Sequence, residues 1–103
     1  MRGADSADTR HLEEFARTRR GVEAYVEPRT TVTAMTVVLV AYDGEWTRRR
    51  IDGADGARRL GQRLAIPVYD VGATGYPQRM RDWTRRRKEA AGPDAPTAGP
   101  MTG

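Results

Sequence analysis

Hydrophobic and polar positions change their period several times along the chain. Leu12, Phe15, Ala16 and Arg19 recur at a spacing of three to four, which predicts a helix from Thr9 to about Arg20. Asp8 or Thr9 can cap its start, and Gly21 ends it. From Val22 to Glu27 the period drops to two. Val22, Ala24 and Val26 face one way and Glu23, Tyr25 and Glu27 the other, as in a half-buried strand. Pro28-Arg29 turns the chain. Thr31 to Tyr42 is rich in Thr and Val, and its end, Val37 to Tyr42, is apolar on both faces, as in a central strand covered on both sides.

Asp43-Gly44 separates that run from Trp46 to Ile51. This is the dipeptide of a two-residue hairpin with a type I′ turn. Ala54 to Ala65 is amphipathic, with Ala57, Leu60, Gly61 and Leu64 inward and Arg58, Arg59, Gln62 and Arg63 outward. Ile66 to Val71 makes a short strand, and Pro67 belongs at a sheet edge or strand start. Gly72 and Gly75 bracket a loop, and Pro77 opens a last helix to about Lys88. Tyr76, Met80 and Trp83 share one side of it.

The order α-β-β-β-α-β-α predicts a single small α/β (α+β) domain over residues 9–89. Its expected form is one mixed four-stranded sheet with helices mainly on one face. Residues 1–8 and the Pro/Gly-rich residues 90–103 have no such period and read as disordered ends.

A two-residue loop at Asp43-Gly44 would set the hairpin register. Ala41 would oppose Trp46, Leu39 Arg48 and Val37 Arg50. One face then carries Val37, Leu39, Ala41, Trp46, Arg48 and Arg50. The other carries Val38, Val40, Tyr42, Thr47, Arg49 and Ile51. The second has one Arg and an apolar cluster, so it is expected under the helices. The first is expected to be at least partly open, with an indole and two guanidiniums side by side. Such a surface can stack bases and pair phosphates.

Composition narrows the chemistry. A chain of 103 residues holds one small domain. Without cysteine there are no disulfides, thiol chemistry or iron–sulfur clusters, and a single histidine rules out a multi-histidine metal site within the chain. No metal or cofactor is expected. No apolar run approaches the roughly 18 residues of a membrane span, so no membrane partner is expected and the expected location is cytoplasmic. Basic residues outnumber acids 18 to 14, a net charge of +4. Within residues 9–89 the balance is 17 to 11, a net of +6. All but Lys88 are arginines, a bias that GC-rich codons alone can produce. Their clustering is more specific: Trp46-Thr47-Arg48-Arg49-Arg50 recurs as Trp83-Thr84-Arg85-Arg86-Arg87. The first copy reads as strand and the second as helix, so the string is not a structural repeat.

Signals for catalysis are weak. Gly72 to Arg79 leads into a helix start that could attract an anion, but it matches no phosphate-loop or dinucleotide pattern. Asp70 ends a strand and can pair with Arg79 or Arg81, and His11 reads as a surface residue. No nucleophile–base pair follows from the spacing, so catalytic residues stay unassigned.

The blocks Glu27 to Thr33, Met35 to Arg50 and Ile66 to Trp83 together resemble a family of short, uncharacterised actinobacterial proteins, over roughly residues 10–87. Members are often given the bare name "oxidoreductase", with no catalytic residues attached to it. The residues themselves point first to a non-enzymatic module that binds nucleic acid, another anionic ligand or an acidic partner. Trp46 and Tyr76 would stack, and Arg48, Arg50, Arg79, Arg85 and Arg86 would supply charge. The alternatives are an oxidoreductase-like cofactor-binding protein with a pocket near Tyr69 to Arg79, and a homodimeric adaptor that buries the Trp46 face.

Overall fold

The computed structural model describes residues 5–91. In chain order they form α1 (Ser6–Thr18), β1 (Glu23–Glu27), β2 (Thr36–Val40), β3 (Trp46–Arg50), α2 (Gly53–Leu64), β4 (Val68–Asp70), α3 (Val71–Thr74) and α4 (Gln78–Ala91). The expected α+β class and strand sequence are present. The short α3 takes Val71 from the end of the expected strand and runs into the segment expected as a glycine-bracketed loop. Of the segments expected to be disordered, residues 1–4 and 92–103 lie outside the described residues.

Helix α1 begins earlier than its apolar spacing suggested. Asp5, not Asp8 or Thr9, is the N-cap: its carboxylate accepts the Asp8 backbone N–H at 2.9 Å, and the Asp8 carboxylate accepts that of Asp5 at 3.2 Å. This reciprocal capping box satisfies two amide donors that a helix start leaves unpaired.

The four strands form one mixed sheet in the order β3-β2-β1-β4, with β1–β2 and β2–β3 antiparallel and β1–β4 parallel. The strand after Pro67 sits at an edge, where a missing ladder donor costs least. Val37, Val38, Leu39 and Val40 are all completely buried. Both faces of β2 must therefore be covered, and the helices divide to do it. On one face Leu12 and Phe15 of α1 and Ala57 and Leu60 of α2 pack on Ala24, Val37, Leu39, Ala41 and Ile51. On the other, Met80, Tyr76 and Trp83 pack on Tyr25, Val38, Val40 and Trp46. The molecule thus has three layers, rather than helices mainly on one face.

The hairpin register differs from the expected one by a single residue. Val40 faces Trp46, Val38 faces Arg48 and Thr36 faces Arg50. The loop has three residues, Tyr42 to Gly44, not two. Gly44 N–H donates to Ala41 O at 2.9 Å and Ala41 N–H to Glu45 O at 2.8 Å. Gly44 has φ +97° and Asp43 has no positive φ, which excludes a type I′ turn and leaves a turn followed by a glycine bulge. A second constraint acts at Gly44, because a Cβ there would lie 2.0 Å from the Arg79 carbonyl oxygen. The bare glycine lets the start of α4 rest directly on the hairpin.

Candidate functional site

The shifted register decides the fate of the expected platform. Trp46, Arg48 and Arg50 do share one face of β3, but their cross-strand neighbours are Val40, Val38 and Thr36. That face lies under α4. Trp46 is 9% exposed, its indole N–H donates to Thr84 Oγ1 at 3.0 Å, and the Arg48 guanidinium stands 5.3 Å from its ring centre. The open indole surface expected for base stacking, and for burial in a homodimer, is therefore occupied by the protein's own helix. Arg50 remains exposed at the end of β3.

Arg48 and Tyr76 are committed internally. Arg48 donates to Glu27 twice, from Nε at 2.7 Å and from Nη2 at 2.9 Å. Glu27 also accepts from Thr36 Oγ1 at 2.7 Å and from the Tyr76 hydroxyl. Burial pushes the Glu27 carboxyl up, but the hydrogen bonds from Arg48, Thr36 and Tyr76 outweigh it and hold the group below its ordinary value. Burial and the Glu27 bond in turn raise the Tyr76 hydroxyl.

Arg79 has a similar fate. Its Nη2 donates to Glu23 at 2.6 Å and its Nε to Ala41 O at 2.9 Å, where β2 ends. The Tyr25 hydroxyl donates to Glu23 at 3.0 Å. Burial raises the Glu23 carboxyl, and Arg79 and Tyr25 more than reverse it. The residues Glu23, Tyr25 and Glu27, which alternate like a solvent face, are thus held by arginine and tyrosine partners.

Of the cations singled out from sequence, Arg85 and Arg86 on α4 face solvent, along with Arg50. Arg85 is 62% exposed and, among the described residues, its ion pairs stay within its own helix, with Asp82 at 3.3 Å and Glu89 at 3.7 Å. Such exposed pairs hold a side chain weakly. Arg86 donates to Asp43 O at 2.9 Å and is otherwise exposed. A groove of about 300 Å³ runs along one flank of α4, lined by Met80, Arg81, Thr84, Arg85 and Lys88. At 100° per residue, Arg81, Arg85 and Lys88 form one stripe, while Asp82 and Glu89 fall toward the other flank. Among the described residues its lining therefore holds three cations and no acid, and one of these cations, Arg85, is already ion-paired with Asp82 and Glu89. Helix α4 carries six basic residues against two acids, a net of +4.

Of the residues singled out from sequence, only Arg85 belongs to this groove, with Arg86 on the same helix. Arg81 was named only as a partner for Asp70, and Lys88 was missed. The signal for them was the spacing of 81, 85 and 88 beside Met80 and Thr84, which is legible once Met80 is known to face inward.

Two further features bear on chemistry. His11, expected as a surface residue without a partner, is half-buried, and its Nε2 lies 2.6 Å from Thr47 Oγ1. Burial lowers its pKa, Arg49 and Arg19 lower it further, and Asp8 opposes them. Thr47 is 5% exposed, so this pair offers no accessible nucleophile. A second groove, of about 600 Å³, lies where α2 meets β1 and β4. Val26, Met35, Ala57, Gly61, Ile66 and Val68 give it apolar walls, and Arg58, Gln62, Tyr69 and Asp70 its polar lining.

Among the described residues no helix is long and apolar enough to cross a membrane, and no three acidic or histidine side chains are grouped to hold a metal ion. No protein-family model matches the chain, and no curated protein or solved structure matches it either.

Proposed function

We propose that the protein is a non-enzymatic binding module that holds the phosphate backbone of a nucleic acid in the α4 groove. One observation carries this: Arg81, Arg85 and Lys88 line a groove with no carboxylate among its described lining residues, on the helix where basic residues most outnumber acids. Arginine suits the role, because its planar fork pairs with phosphate oxygens bidentately. This reading places the protein in the cytoplasm.

The test is fluorescence anisotropy with labelled oligonucleotides across a salt series. Three phosphate contacts predict a slope of log K against log salt near −3, at roughly 0.9 per phosphate on a duplex. Replacing Arg81, Arg85 and Lys88 together by Ala should remove most of that slope and leave the melting temperature nearly unchanged. Unchanged affinity in the triple variant would refute the proposal. Arg48→Ala is a poor probe, since Arg48 holds Glu27.

The 600 Å³ groove favours a second reading, a small cofactor-binding protein of the oxidoreductase-like kind that the family resemblance suggests. The groove has the size and apolar lining of a ligand pocket, and it includes Tyr69 and Asp70 where the parallel pair β1–β4 ends. A thermal shift with flavin or nicotinamide would support it. No shift with either would remove it.

A further inference from the structure

Resting on the α4 reading, we infer that the nucleic acid taken by this groove is double-stranded and is held by its backbone alone. Sequence-tolerant single-strand binding needs aromatic faces on which unpaired bases can stack, worth about 1–3 kcal/mol per base. The aromatic rings packed against α4 are already engaged, and the exposed ring of Tyr42 sits in the hairpin loop, outside the groove's lining. Trp46 is buried under α4, tied to Thr84, with the Arg48 guanidinium over its ring. Trp83 lies beneath the Arg87 guanidinium, 4.8 Å from its ring centre. Tyr76 spends its hydroxyl on Glu27 and packs against the Trp46 cluster.

What the groove does present is charge without rings. Its non-cationic lining is Met80, 8% exposed, and Thr84, whose hydroxyl donates to Met80 O at 3.1 Å and accepts the Trp46 indole N–H. From Arg81 to Lys88 the stripe rises about 10 Å, at 1.5 Å per residue. That is enough to meet successive phosphates of one strand and too little to enclose unstacked bases. A duplex offers roughly twice the linear charge density of a single strand, so a ring-free cationic stripe favours it.

The experiment uses the full chain with blunt 20-base-pair DNA and RNA duplexes and with each of their single strands, at one salt concentration. Binding is read by anisotropy and by tryptophan emission. Both duplexes are expected to bind at least about tenfold tighter than any single strand, given the difference in charge density. The emission of Trp46 and Trp83 should stay unchanged. Tighter single-strand binding, or quenching by single strands, would overturn the inference while leaving the groove a nucleic-acid site. Equal affinity for the two forms would also overturn it. No binding to any of them would overturn the α4 reading itself.

Discussion

The indole N–H of Trp46 donates to the hydroxyl of Thr84 at 3.0 Å and so joins the edge strand β3 to α4. Trp46 is also the largest side chain of the core cluster on that side of the sheet. Trp46→Ala should therefore cost about 3–5 kcal/mol, the usual range for emptying a large buried site. Thr84→Val keeps the shape but strands the indole donor and should cost about 1–2 kcal/mol. Urea unfolding followed by circular dichroism measures both. A Trp46→Ala midpoint equal to that of the parent would show that α4 does not seal this face.

Glu27 and Arg48 form the best-satisfied ion pair on the α4 side. Glu27→Gln leaves the Arg48 guanidinium half-buried and without its charge partner. Arg48 is about a third exposed, so solvent screens part of the penalty, and about 1–2 kcal/mol is expected. Arg50→Ala, at an exposed position two residues on, should change stability by less than about 0.5 kcal/mol. Equal effects at Arg48 and Arg50 would contradict the assigned register.

Gly44→Ala should destabilise by more than about 1 kcal/mol. The positive φ disfavours any side chain, and the new methyl would also press on the Arg79 carbonyl. Near-ultraviolet circular dichroism should show the tryptophan signals loosening as α4 lifts. Retention of the parent spectrum and stability would show that the loop can adapt.

Stability should fall in two stages on acidification. His11 is held below its ordinary value of 6.5, so the unfolded chain protonates first. Its contribution is complete above about pH 6.5 and is lost as the pH drops through the folded value. Glu23 and Glu27 are held below 4.5, so their contribution is complete above about pH 4.5 and is lost below it in the same sense. Unfolding midpoints measured from about pH 8 to pH 3 check this, and His11→Gln should erase the first stage only.

Much of the architecture was legible because periodicity reports burial directly. Ala57, Leu60 and Leu64 of the inward set and the side shared by Tyr76, Met80 and Trp83 appear in the packed clusters, and Gly61 is buried with them on the inner side of α2. The register was not legible, because Asp-Gly serves two-residue and three-residue hairpin loops alike. One residue of difference moved Trp46 from opposite Ala41 to opposite Val40. The run Val37 to Val40, apolar on both sides, already argued against an open face next to it. The internal pairings of Arg48 and Arg79 are long-range, joining positions 21 and 56 residues apart, and no local pattern announces them. The twin string Trp-Thr-Arg-Arg-Arg shows the same limit. In β3 the second residue after the indole covers it, and in α4 the fourth does, because strand and helix bring different neighbours alongside.

Helix α4 follows every strand it covers. During synthesis the sheet can pair and receive α1 and α2 on one side while Val38, Val40 and Trp46 are still bare on the other. A nascent chain paused before Gln78 would expose a greasy, half-finished surface to chaperones. Only the arrival of the arginine-bearing segment closes it, so the charged helix completes the interior as well as decorating the outside.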